Sequence, residues 1–115
     1  MNSASPTPGI KYDADKLRYD LVPPCALEEV VKVLTYGAKK NAPDNWRHVA
    51  SSPARYYAAM QRHVQAIAKG ETKDPETGFH HYAHAICCLM FAMEHDMGTA
   101  KTTKSILQEQ PKPTI

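Results

Sequence analysis

No hydrophobic run in this chain approaches the roughly 20 residues that a membrane helix requires, so a membrane span is not expected. The opening MNSASPTPG lacks the basic-then-apolar plan of a signal peptide, and the expected location is the cytoplasm. Charge of one sign is scarce as well. A net charge of +2 over 115 residues argues against nucleic acid or an anionic membrane as partner. Three cysteines make an odd count, with Cys87 and Cys88 adjacent in an apolar stretch, so they read as reduced core residues and not as a disulfide framework. Five glycines are scattered, and neither a Walker-type phosphate loop nor a nucleophile elbow occurs. There is one tryptophan, no internal repeat and no convincing strand.

What is present is 43% hydrophobic residues, enough to build one small packed domain. Residues 1–10 are rich in Ser, Pro and Thr and are expected to be disordered. Residues 11–24, KYDADKLRYDLVPP, read as an extended arm lying over the body, because a residue preceding proline is pushed away from helix. A first helix is expected from Cys25 or Ala26, burying Leu27, Val30, Val31, Leu34 and Ala38 at helical spacing. The loop NAPDNWRHVASS follows, and then a second helix with Ser52 as N-cap and Pro53 at its first position, stopping at Gly70. The spacing predicts a third helix from Phe79 to Met97, with Tyr82, Ala85, Ile86, Leu89, Met90 and Met93 on its core side. Residues 99–115 form a polar tail, which leaves 11–98 as the domain. The expectation is an all-α bundle of three main helices with an extended N-terminal arm. Three helices leave apolar surface uncovered, so homo-oligomerisation, as a homodimer or homotetramer, is expected to complete the core.

The chemistry concentrates in ETKDPETGFHHYAHAICCLMFAMEHD, where Glu71, Asp74 and Glu76 precede His81 and His84 one helical turn apart. Carboxylates and imidazoles so placed can hold a divalent metal. They can equally favour a helix N-terminus or be solvated. In the first helix Glu28 pairs with Lys32 at i,i+4, which leaves Glu29 the stronger ligand candidate. Arg55, Arg62 and Lys69 recur every seven residues, as a phosphate-binding stripe or as an ordinary exposed face. Trp46 beside Asn45 can stack on a base or plug the core edge. His95-Asp96 resembles the His-Asp dipeptide of HD phosphohydrolases, but only Glu109 follows as a downstream acid.

Four blocks in order, KLRYDLVPPCALEEVVKVLTYGAKK, NW, ARYYAAMQRH and GETKDPETGFHHYAHAICCLMF, resemble the phage dATP/dGTP diphosphohydrolase family, related to MazG-type all-α nucleoside triphosphate pyrophosphatases. The resemblance covers Lys11 to about Glu94. It implies Mg²⁺-dependent hydrolysis (Mn²⁺ being the other candidate) of dGTP or dATP to the monophosphate and pyrophosphate, in a phage's host cytoplasm. Such enzymes supply dGMP to phages that build 2-aminoadenine into DNA. MazG-type enzymes present Glu-x-x-Glu on one helix and Glu-x-x-Asp on the next. Here the first helix offers only Glu28-Glu29, and His81-x-x-His84 stands at the second place. Glu71-x-x-Asp74 has the spelling but sits in a Pro-containing loop. The expected metal set is therefore Glu28, Glu29, Asp74, Glu76, His81 and His84, with His81, His84 or Glu29 acting on water. Lys16, Arg18, Lys39, Asn45, Trp46, Arg55, Arg62 and His63 are the substrate-binding candidates. The rival reading is a non-enzymatic helical module that binds nucleotide or a protein.

Overall fold

The computed structural model describes residues 8–99. It is all-α: α1 spans Pro24–Lys40, α2 spans Ser52–Ala68 and α3 spans His81–Asp96, with short 3-10 turns at Tyr19–Leu21 and Asn45–His48. Among the described residues the sole β-type contact is an isolated antiparallel bridge between Lys73 and His80, and no helix is long and apolar enough to cross a membrane. The expected disordered N-terminus and polar tail lie outside the described residues, except for positions 8–10 and 99.

Each helix begins and ends for a local reason. Proline opens α1, where its missing N–H costs nothing and its fixed φ suits the first turn. At α2 the expected cap moves by one residue. Ser51, at φ 54°, is the cap, Ser52 is the first helical residue, and no side chain caps the end. The Ser52 hydroxyl is buried with no hydrogen-bond partner among the described residues. The far end of α2 closes as a Schellman motif, with Gly70 N–H donating to Ile67 O at 2.9 Å and Glu71 N–H to Ala66 O at 3.0 Å. Gly70 can adopt the required φ of 95° because it has no Cβ. This closure fixes where Glu71 leaves the helix.

The core is small. Val30, Ala83 and Cys87 form it, with Val33, Leu34 and Phe91 packed against them. Helix α3 lies between the other two helices and packs most extensively on α2. Its buried positions are His81, Ala83, Ala85 and Cys87, whose mostly small side chains let backbones approach closely. The expected core side of α3 is corrected for all but Ala85. Tyr82, Ile86, Leu89, Met90 and Met93 are exposed, as are Leu27 and Val31 of α1. The apolar pattern was legible but its direction was not, because the positions of α3 that are buried are His81, Ala83, Ala85 and Cys87. The arm is likewise not laid onto the body, since Tyr12, Leu17, Tyr19 and Leu21 are exposed.

Burial pushes the Cys87 thiol up to about 12, with the neighbouring Cys88 adding to the shift, and Cys87 donates to Val30 O at 3.5 Å. Cys25 is exposed. Ellman's reagent should therefore modify Cys25 rapidly in the native chain and reach Cys87 only on unfolding. Equal rates at both thiols would contradict this packing.

Candidate functional site

Residues 71–80 carry the acids from the end of α2 to the start of α3 in a loop held by its own backbone. His81 N–H donates to Thr72 O (3.0 Å), Asp74 N–H to Phe79 O (2.8 Å) and Gly78 N–H to Asp74 O (2.7 Å). Gly78 turns at φ 77°, a conformation that suits glycine. One carboxylate oxygen of Asp74 accepts the Glu76 N–H at 2.9 Å, as aspartate does in tight turns. Its other oxygen, Oδ2, lies 3.6 Å from His84 Nε2. Thr77 Oγ1 stands 2.7 Å from that same nitrogen.

His63 of α2 faces this loop from the other side. Its ring stacks on His84 with centroids 4.6 Å apart and planes 5° from parallel. One ligand atom from each of His63, Asp74 and His84 lies within 4.8 Å of the other two. Behind them a chain of contacts passes through the buried His81 and out to Glu71: His63 Nδ1 is 2.8 Å from His81 Nδ1, and His81 Nε2 is 2.6 Å from Glu71 Oε1. The cluster opens onto a cavity of about 560 Å³ whose walls include Tyr36, Lys40, Asp44, Asn45, Trp46, Glu76 and Thr77.

Burial, then the charges of the other two histidines, lowers the His63 pKa from 6.5. Burial also lowers that of His84, outweighing the Asp74 carboxylate, which raises it. Both shifts favour the neutral imidazole, the form that metal ligation requires. The donor set of two imidazoles and one carboxylate fits a divalent first-row metal such as Mn²⁺. It fits Mg²⁺ poorly, because Mg²⁺ takes oxygen ligands and Asp74 is the one carboxylate in the cluster.

The sequence candidates divide clearly. His84, Asp74, His63, Glu76, Asn45 and Trp46 line the cavity. His81 is buried behind it and reaches His63 instead. Glu29 bonds Lys32 at 2.7 Å, so the expected Glu28–Lys32 pair gives way to an i,i+3 pair, and Glu28 lies with Lys39 in a separate shallow groove. Arg18 is engaged with Asp20 at 2.8 Å, Lys16 is exposed on the arm, and Arg55 donates to Ala50 O at 3.3 Å. Arg62 borders another groove with Glu71. Trp46 stacks on Phe91 at 4.7 Å and 13°, plugging the core edge while still lining the cavity. Thr77 and Lys40 were not foreseen. Thr77 sits in an Asp-Pro-Glu-Thr-Gly turn, a signal for a loop but not for a hydroxyl aimed at a histidine.

A sequence model described as dATP/dGTP diphosphohydrolase, N-terminal, matches residues 6–105. Among curated proteins, a dATP/dGTP diphosphohydrolase of Salmonella phage PMBT28 is 41% identical over 83 residues, which is 72% of this chain and 28% of the relative. The chain thus spans less than a third of that relative's length. No solved structure matches.

A depressed histidine pKa favours the neutral fold, so its stabilisation is complete above the unfolded value of 6.5 and is lost as pH falls through the lower folded value. In EDTA the melting temperature should hold from pH 8 to 7 and fall steadily below pH 6.5. The double substitution His63→Gln, His84→Gln should flatten that slope. An unchanged slope in the double variant would place the acid sensitivity elsewhere.

Proposed function

The chain belongs to the dATP/dGTP diphosphohydrolase family, matching its N-terminal part, and we propose that its cavity binds a purine deoxynucleoside triphosphate and hydrolyses it to the monophosphate and pyrophosphate. The observation that carries this reading is the juxtaposition of the His63–Asp74–His84 cluster with a cavity of about 560 Å³. That volume lies within the range of about 300–1,000 Å³ common for small-molecule sites. Tyr36, Asn45 and Trp46 give the cavity aromatic and amide groups suited to a base and sugar, while Asp74, Glu76 and Lys40 give it charge.

A divalent cation held by His63, Asp74 and His84 would neutralise phosphate oxygens and acidify a bound water. Glu76 is exposed, with Lys40 Nζ 3.9 Å away as its ion partner, so its carboxylate is open to take the proton from the attacking water. The water oxygen bonds to the α-phosphorus, and the bond from that phosphorus to the bridging oxygen of the β-phosphate breaks. Lys40 is placed to balance charge on the departing pyrophosphate. Lys16, Arg18, Lys39, Arg55 and Arg62 do not line the cavity, so Lys40 takes the phosphate role in this reading.

The physiological setting we propose is phage nucleotide metabolism, with dGMP supplied for 2-aminoadenine DNA synthesis. The phage origin of the curated relative supports the first part. We also propose a homodimer or homotetramer, supported by the outward stripe of Tyr82, Ile86, Leu89, Met90, Met93 and Met97 on α3, an apolar surface of the kind that association covers.

Incubation with each dNTP, with Mn²⁺ or Mg²⁺ and with EDTA, followed by anion-exchange separation, tests the activity. The expected products are dGMP or dAMP with pyrophosphate, only in the presence of metal. Asp74→Asn keeps the acceptor for the Glu76 N–H, so it should fold normally yet lose turnover by on the order of 100-fold. Nucleoside and triphosphate as products would mean a different phosphohydrolase. Binding without any product would mean a nucleotide-binding module.

A further inference from the structure

Behind the metal-facing trio, His81 and Glu71 form an ordered chain of contacts that ends on His63. Glu71 Oε1 is acceptor-only when ionised, so at 2.6 Å it takes the N–H of His81 Nε2. His81 Nδ1 in turn lies 2.8 Å from His63 Nδ1. A metal held by His63 through Nε2 requires the ring proton on Nδ1, and His81 Nδ1 is placed to accept it.

We infer that Glu71 and His81 are positioning residues that hold the His63 ring in place, and that with Asp74 and His84 this builds a transition-metal site selective against Mg²⁺. A carboxylate behind a ligating imidazole is the usual device for raising ligand basicity and holding the ring. Here the device has one more imidazole in it. His81 is buried on α3, and Glu71 is tied to the end of α2 by the Schellman closure, so a helix or a helix end holds each anchor. The stacked His84 ring fixes the other face of His63. Imidazole nitrogen binds Mn²⁺, Co²⁺ and Zn²⁺ in preference to Mg²⁺, which dehydrates reluctantly and prefers carboxylate oxygen.

This inference deepens the proposed function by specifying its metal, and it rests on that reading only for where the metal acts. Its test therefore uses no nucleotide. Metal-free protein is titrated with Co²⁺, read by visible absorption and by equilibrium dialysis with elemental analysis, and challenged with excess Mg²⁺. We expect one Co²⁺ per chain with nitrogen-ligand absorption bands, not displaced by Mg²⁺ and lost in His63→Gln and His84→Gln. Glu71→Gln alters a half-exposed side chain and should leave the EDTA-state melting temperature unchanged, while weakening Co²⁺ binding by about 10–100-fold.

Displacement by an equal concentration of Mg²⁺ would overturn the selectivity. Unaltered Co²⁺ affinity in Glu71→Gln would overturn the positioning role, and retention of Co²⁺ in both histidine variants would overturn the site. Metal binding without hydrolysis of any dNTP would leave this inference standing and remove the proposed function. Mg²⁺-supported hydrolysis with no Co²⁺ bound would do the reverse.

Discussion

Two imidazoles held face to face at 4.6 Å, with a carboxylate oxygen 3.6 Å from one of them, impose the constraint on which the rest of the site depends. Burial disfavours their protonated forms, and a neutral ring has one donor and one acceptor nitrogen to place. One ligand atom of each ring lies with one of Asp74 in a group no more than 4.8 Å apart. A cation there would satisfy all three at once. The Schellman turn, the pinned 71–80 loop and the close packing of α3 on α2 are the local devices that hold these groups in register.

The cavity beside the cluster gives that arrangement a use. Its walls combine acids and imidazoles with Asn45, Trp46 and Tyr36, groups that suit both the phosphates and the base of a nucleotide. Family membership fits this combination. Glu28 and Glu29 lie outside the cavity, and Lys32 binds Glu29. The candidate ligands come instead from α2, the loop and α3.

Much of the fold was legible in the sequence, because prolines, glycines and helical periodicity are local signals. Pro24, Gly70 and Gly98 stand at or within a residue or two of the observed helix ends. The faces were harder. The large apolar side chains of α3 mark a stripe, but a stripe does not say whether its cover comes from the same chain. The helices in this chain instead meet α3 over Ala83, Ala85, Cys87 and His81. In the site, Asp74 and His84 were readable from their spacing. That His63 joins them, and that His81 turns away to Glu71, depends on how α2 packs against α3, which no local pattern encodes. The Glu28–Lys32 expectation failed for a related reason, as an i,i+3 neighbour competes on equal terms with an i,i+4 one.

The central claim is that one ion bridges the His63–Asp74–His84 cluster and the phosphates of a nucleotide in the adjoining cavity. Electron spin-echo spectroscopy of the Mn²⁺-loaded protein with a non-hydrolysable α,β-imido analogue of dGTP tests it directly. The account predicts modulation from imidazole nitrogen and from nucleotide phosphorus on the same ion. Phosphorus coupling with no imidazole nitrogen would contradict it, because the metal would then arrive with the nucleotide and be held by other groups.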